Sequence, residues 1–511
     1  MTVGSEQRVE GTPEDRAAGL LLHPTSLPGR FAVGDLGPGA HVAIDWMAGA
    51  GFRVWQVLPL GPPAFAAAPY TCLSSFAANP LLISPEALVE DGLLEEGDLA
   101  SAPGPVPGRC DFEVAGPWKE DLLRRAWERF EGGAADELRA DLATFEARQA
   151  DWLDSWSLFA ALRDRFGRRS WLEWDDRKLS RHQPEAVAAA FETTAAERAY
   201  HRFVQFLFFR QWTALRQHAA ERGIRILGDL PIYVALDSAE VWSHRDLFEL
   251  DEEGRPVAVA GVPPDYFSPT GQLWGNPLYR WGRMAEDDFA WWQSRLAANL
   301  ELVDSVRLDH FRAFADYWRV PAGAENAIGG EWVDGPGGAF FDALTRRFGE
   351  IPLLAENLGD LSPAVEVLRR TYDLPGMAVL QFAFDGEQNS HLPHRVERRS
   401  AIYTGTHDND TTLGWYRGLD GDTRHRFRVY TGASDEHDAP WALIRSAYHS
   451  VAELAVVPLQ DVLSLGAEAR MNTPGVAEGN WLWRADGDAL GSEVAESLST
   501  LASLSGRWSE G

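Results

Sequence analysis

The run S-V-R-L-D-H-F at residues 305–311 decides the fold. Its apolar residues alternate as in a strand, and it closes on Asp309 and His310, so the charged end is separate from the apolar body. Three other segments repeat the pattern: I-R-I-L-G-D-L-P-I-Y-V at 224–234, P-L-L-A-E-N at 352–357 and A-I-Y-T-G-T-H-D at 401–408. Apolar strands alternating with helical stretches indicate a parallel sheet buried on both faces. V-W-Q-V-L-P-L at 54–60, P-L-L-I-S at 80–84, M-A-V-L-Q-F-A-F at 377–384 and A-V-V-P-L-Q-D-V-L at 455–463 bring the strand candidates to eight. Eight such strands point to an α/β fold, a (β/α)8 TIM barrel, whose chemistry sits where strands end and loops begin.

Helix-like stretches fill the gaps at 196–222, 284–303, 337–349 and 362–372, the last opening on Ser362-Pro363 as a cap followed by a first-turn proline. The interval 85–195 does not read as one βα unit. Its charged helical stretches at 118–150 and 152–167 follow a Pro/Gly-rich loop at 102–108, so it is expected to be a mostly helical inserted subdomain. Residues 1–17 read as a polar tail and 18–511 as the catalytic barrel. After the last strand there is room for about one helix, too little for the roughly 100 residues of a C-terminal β-sandwich.

The formal net charge of −29 argues against a nucleic-acid or anionic-membrane partner and favours a neutral or cationic ligand. Lysine occurs only at Lys119 and Lys178, so arginine carries nearly all positive charge. Cys72 and Cys110 form no C-x-x-C spacing and no disulfide framework. The N-terminus lacks a basic region followed by an apolar run, and no stretch approaches the roughly 20 apolar residues of a membrane span. A reduced, cytoplasmic location is the expectation. The histidines read as lacking H-x-x-H and H-E-x-x-H zinc spacings, so no catalytic metal is expected.

Asp309, Glu356 and Asp408 supply what cleavage of a glycosidic bond needs: a nucleophile, an acid/base and a stabilising carboxylate. Arg307 lies two residues from Asp309 on the same strand face, where its charge would keep a nucleophile ionised. Glu356 follows Leu353, Leu354 and Ala355, an apolar setting that raises a carboxyl pKa toward the acid role. Asp408, next to His407, is placed to hold sugar hydroxyls. Acid/base and covalent chemistry suffice for such a reaction, so no cofactor is implied. Taken singly, each carboxylate reads more readily as a salt bridge or a cap; the four strand-end clusters together carry the signal.

The four segments resemble the signature of the α-amylase superfamily, and the wider matches resemble its 4-α-glucanotransferase branch, the amylomaltases of glycoside hydrolase family 77. These matches are L-L-H-P-T-S-L-P-G-R-F at 21–31, W-Q-V-L-P-L-G-P at 55–62, G-V-P-P-D-Y-F-S-P-T-G-Q-L-W-G-N-P-L-Y at 261–279, P-L-Q-D-V-L-S-L-G-A-E-A-R-M-N-T-P-G at 458–475 and G-N-W-L-W-R at 479–484. The resemblance implies a retaining transfer of α-1,4-glucan segments between maltooligosaccharides or starch-like glucans, with glucose among the acceptors. It implies Asp309 as nucleophile, Glu356 as acid/base and Asp408 as stabiliser, with Asp229, Arg307 and His407 around the cleaved glucose. Two segments depart from the family pattern: A-A-A-P-Y-T-C-L-S-S-F-A-A-N-P at 66–80, with alanines for polar residues and Cys72 for a serine, and Q-N-S-H-L-P-H at 388–394, with Ser390 and His391.

Tyr70, Trp274, Asn276 and Pro277 lie in loops expected over the barrel mouth, where aromatic faces stack on glucose rings. Most of the 21 tryptophans should be core residues, and Cys72 inert. The stretch 254–280 reads as a long loop able to act as a lid. Two rival readings remain: a mainly hydrolytic α-glucanase using the same carboxylates, and a non-catalytic glycan-binding barrel.

Overall fold

Eight short parallel strands form the central sheet: β1 (Ala17–Leu21), β2 (Val54–Gln56), β3 (Arg225–Leu230), β4 (Ser305–Leu308), β5 (Leu353–Ala355), β6 (Gly376–Val379), β7 (Ser400–Tyr403) and β8 (Leu454–Pro458). The structure, a computed structural model, describes residues 16–64, 67–264, 268–359 and 361–508. The strand order β6-β7-β8-β1-β2-β3-β4-β5 runs once around a ring, every ladder parallel. At the seam the Ala355 amide donates to Pro375 O (2.8 Å) and the Met377 amide to Asn357 Oδ1 (2.7 Å), which nearly closes the barrel. Almost every strand residue is buried, as expected where helices cover the outside and side chains fill the inside.

One of the eight expected strands is replaced. P-L-L-I-S at 80–84 is a turn of 3-10 helix, Pro80–Leu82, leading into the helix Pro85–Glu90. Pro80 has no N–H for a ladder, the Asn79 side chain accepts from the Leu81 amide (3.0 Å), and Ser84 caps the next helix. The missing member is β1, whose A-A-G-L-L lacks β-branched residues and which pairs between β8 and β2. Arg16 and Ala17 therefore do not belong to a tail. Arg16 donates to the carbonyls of Tyr448, Ser450 and Ser505, and the remaining tail residues, 1–15, lie outside the described ones.

Within 85–195 stand the helices Phe112–Glu131, Leu138–Arg148, Ala150–Arg165 and Pro184–Thr193. Trp171, Trp174, Trp212 and Trp242 are fully buried beside or beneath this region, in keeping with a core role for most tryptophans. The stretch 254–280 is a hairpin and not a loop. Its strands Ala258–Val262 and Gln272–Pro277 join Asp316–Pro321 and Glu331–Asp334 in an antiparallel sheet. Residues 265–267, between the two hairpin strands, lie outside the described ones. Beyond β8 the regular elements described are helical, ending with Ser492–Leu504, and no β-sandwich follows among them.

Candidate active site

The register of the barrel sets the carboxylates side by side. Asp229 on β3 pairs with Arg307 on β4, and Leu308 pairs with Ala355 on β5, so Asp309 and Glu356 occupy the next two adjoining positions. Neighbouring strands lie about 4.7–4.9 Å apart, which suits the separation of about 5–5.5 Å that a retaining pair requires. The Asp309 amide donates to Leu230 O (3.1 Å) and the Glu356 amide to Leu308 O (3.1 Å), carrying ladder-like bonds past the strand ends.

Arg307, almost wholly buried, is the hub. Its Nη1 donates to both oxygens of Asp229 (3.0 and 2.8 Å) and stands 2.9 Å from Asp309 Oδ1. Burial opposes its charge, but Asp229 and Asp309 outweigh that and hold it charged. Burial pushes Asp229 up to about 6 even though Arg307 pulls it down. Both pKa values are raised, which favours the charged form of Arg307 and the neutral form of Asp229, because one guanidinium serves several carboxyls. A cluster of Asp229, Asp309 and Glu356 around a single cation keeps a proton at neutral pH.

Glu356 is where that proton rests. Burial is the main cause, Arg307 works against it, Asp309 adds repulsion, and the carboxyl is pushed up to about 7. Its Oε2 accepts from the His310 amide (2.8 Å) and its Oε1 from the Leu358 amide (3.0 Å), which fix its orientation. His310 presents that amide from the left-handed region, with φ 51°. A non-glycine residue there stores backbone strain, and this one places its N–H on the acid/base candidate.

Asp408 follows β7 in a different setting. Its Oδ2 stands 3.3 Å from His407 Nε2, and Asn472 Nδ2 donates to its Oδ1 (2.6 Å). Burial would raise it, but His407 and Asn472 hold it well below the usual carboxylate range. His407 shifts the other way: burial lowers its pKa, and Asp408 outweighs burial and raises it. Tyr70 joins the two halves. Its hydroxyl donates to Asp229 Oδ2 (2.8 Å), and its ring stacks on His407 with centroids 4.9 Å apart. Burial pushes its pKa up, so it acts as a donor throughout the working range.

Of the residues singled out from sequence, Tyr70, Asp229, Arg307, Asp309, Glu356, His407 and Asp408 form this one network. Trp274 meets it through His310, edge to face at 4.8 Å, and is 38% exposed. Asn276 and Pro277 stand apart from it. The Asn276 amide donates to Val234 O (2.9 Å), and Pro277 is buried against Val259. Sequence reasoning missed Asn472, Arg470 and Trp481. Arg470 donates to the Asp408 carbonyl (2.7 Å), and the Trp481 ring lies 5.7 Å from Tyr70 and 5.8 Å from His407. All three fall in the quoted segments at 458–475 and 479–484, where the proximity to Gly and Pro was the only local signal.

His391 and His394 do make an H-x-x-H spacing, but they point to separate partners, the Val379 amide and the Tyr430 hydroxyl. Among the described residues no group of three or more His, Cys, Asp or Glu is placed to hold a metal ion. Cys72 and Cys110 are unpaired, and burial pushes both thiols up to about 12, so neither forms a thiolate readily. No helix among the described residues is long and apolar enough to cross a membrane.

A family model described as 4-alpha-glucanotransferase matches residues 22–489. A 4-alpha-glucanotransferase of Thermus thermophilus is 48% identical over 96% of this chain and 99% of its own. One of Synechocystis is 46% identical over 97% and 98%. Among solved structures, an amylomaltase from Streptococcus agalactiae in complex with acarbose superposes with a TM-score of 0.93 at 32% identity, covering 97% of this chain and all of that one.

Proposed function

The chain belongs to the 4-alpha-glucanotransferase family, glycoside hydrolase family 77, and on that premise we propose that Asp309, Glu356 and Asp408 carry a retaining double displacement on α-1,4-glucans. An Asp309 oxygen attacks C1 of a donor glucose unit. The bond from C1 to the departing 4-oxygen breaks, and Glu356 gives that oxygen its proton. The 4-hydroxyl of a second glucan, or of glucose, then attacks C1. Glu356 takes back a proton, the bond to Asp309 breaks, and the α-1,4 link re-forms after two inversions. Asp408, ionised by its partners, accepts hydrogen bonds from ring hydroxyls as the oxocarbenium character develops. Asp229, Arg307, His407 and Tyr70 hold the reacting glucose, and Trp274 offers it an apolar face.

The observation that carries this reading is the sharing of one guanidinium. Arg307 is committed to Asp229 and Asp309, which sets a cation against the nucleophile and leaves Glu356, pushed up to about 7, as the proton carrier beside it. Neither a metal nor a cofactor has a step to perform. Two unpaired cysteines fit the cytoplasm as the place of action.

A timed incubation with maltotriose, reading the oligosaccharide ladder and total reducing ends together, tests the proposal. Longer chains plus glucose at constant reducing ends are expected, and Asp309→Asn should abolish them. Rising reducing ends without longer products would instead identify water as the acceptor. An active Asp309→Asn enzyme would remove Asp309 from the nucleophile role.

A further inference from the structure

Tyr70 rides on the segment 67–77, which borders a small cavity of about 50 Å³ lined in part by Tyr70, Cys72, Ser74, Asp229 and Arg295. The Phe76 ring packs on Trp152 and Trp291, and polar ties set the rest of the segment. Its stem is closed by Leu73 N to Pro62 O (2.8 Å) and by close packing of Cys72 on Gly61, where a Cβ would meet the sulfur at 2.7 Å. Its middle, at Leu73 and Ser74, is tied to one short helix, Ala239–Ser243. The Ala239 amide donates to Leu73 O (2.8 Å), and Glu240 Oε1 accepts from the Ser74 hydroxyl (2.6 Å). The same Ser74 oxygen accepts from the amides of Phe76 and Ala77, both at 3.1 Å, so one hydroxyl organises the turn and Glu240 anchors that hydroxyl.

Glu240 is itself unusual. It is 5% exposed, and its partners besides Ser74 are backbone N–H groups, of Ser75 and of Glu240 itself, with no side-chain donor recorded on Oε2. Arg295 is the cation on the neighbouring helix, yet its Nη atoms are committed to Pro231 O, Ile232 O and the Tyr279 hydroxyl. The other titratable groups facing Glu240 are Cys72 on the loop and Tyr279. A buried carboxyl without a committed counter-ion is costly to keep, which marks a position held for its contact and not for stability. Burial pushes it up to about 7, while the Ser74 bond works against that shift.

We propose that Glu240 is a positioning residue for glucan transfer: through Ser74 it fixes the 67–77 segment where Tyr70 reaches Asp229 and stacks on His407. The inference rests on the reading of Tyr70 as a substrate-facing residue. Glu240 touches no substrate, and its effect reaches the reacting glucose through Tyr70 alone.

The test is a kinetic cycle on maltotriose with E240A, E240Q, Y70F and the double variant Y70F/E240A, together with amide hydrogen exchange of the loop. E240A is expected to raise KM about tenfold, the cost of losing one buried hydrogen bond, with a smaller change in kcat. The Phe76 and Ala77 amides should exchange faster in E240A. E240Q keeps the acceptor for Ser74 and should restore both KM and protection. In the Y70F background, where the hydroxyl half of that route is already cut, E240A should add less than in the parent. Full additivity, or a KM rise with loop protection unchanged, would overturn the tether. If E240A does not fold, Ser74→Ala takes its place with the same expected KM rise, and an unchanged KM there counts against the proposal. Should Y70F leave KM untouched, the tether falls with the role of Tyr70, while transfer through Asp309 stands.

Discussion

Glu356 at the end of β5 and Asp408 beyond β7 open into the same barrel mouth, yet they hold protons with opposite strength. Removal from water raises both. Glu356 receives two backbone N–H groups, from His310 and Leu358, and ends up at about 7. Asp408 receives the Asn472 amide and the His407 imidazole and is held well below the usual range. Two N–H dipoles do not offset the loss of water around Glu356; a cation and an amide more than offset it around Asp408. The difference lies in where the cations stand, since Arg307 is committed to Asp229 and Asp309 on the near side of Glu356. Role in this mouth follows the placing of Arg307 and His407, not the choice between Asp and Glu.

Removing the carboxyl of Glu356 breaks the comparison most sharply. Glu356→Gln should lower transfer by about 10²–10⁴-fold, the usual contribution of a positioned acid/base. In the parent enzyme kcat/KM should fall as pH rises through about 7, because the raised pKa marks loss of the proton the leaving oxygen needs. The residual activity of Glu356→Gln should lack that limb. A limb that persists in Glu356→Gln would take it away from Glu356. Stability carries the same sign. From the unfolded value of about 4.5 up to about 7 the native state binds more protons at this site, so its contribution to stability falls as pH rises. Glu356→Gln should therefore melt higher than the parent at pH 8, with the gain disappearing by pH 5.

The comparison can also be narrowed from the other side. Asn472→Ala removes the 2.6 Å donor from Asp408 and moves its environment toward that of Glu356. Hydrogen bonds to charged groups contribute about 1.5–3 kcal/mol, so kcat should fall by about 10- to 100-fold. The acid side of the profile should move too. A carboxylate whose depressed pKa rises is protonated at higher pH, so activity should be lost sooner as pH falls. A kcat loss with an unmoved acid limb would place Asn472 in substrate contact and not in the tuning of Asp408.

These tests bear on residues of very different legibility. Asp229, Arg307, Asp309 and Glu356 stand on or beside strands whose apolar alternation is visible in the chain, so the sequence places them at one rim. Asn472 and Trp481 could not be placed that way, because irregular chain after β8 brings them back over the mouth and nothing local encodes that return. The strands show the same division. β4 announces itself through V-R-L-D, whereas A-A-G-L-L of β1 becomes a strand only because β8 and β2 flank it. P-L-L-I-S at 80–84 has strand composition, but Asn79 and Ser84 spend their side chains on helical turns at both ends. The hairpin at 258–277 is rich in Gly and Pro and reads as loop, yet the backbone of Asp316–Pro321 pairs it into a sheet.

Trp274, on that hairpin, sharpens the comparison by leaving both carboxyls in place. It is 38% exposed and packs edge-on to the His310 ring. A ring that stacks on sugar contributes about 1 kcal/mol, so Trp274→Ala should raise KM by about fivefold with kcat nearly unchanged. His310 holds Glu356 through its backbone N–H and not through its ring, so loss of the ring contact should leave the limb near pH 7 where it is. If Trp274→Ala moves that limb, the indole is supporting the strained turn at His310, and the protonation of Glu356 depends on the hairpin as well as on Arg307. If KM rises while the limb stays, binding by the hairpin and proton control by the strand ends are separable, and the contrast between Glu356 and Asp408 belongs to the barrel alone.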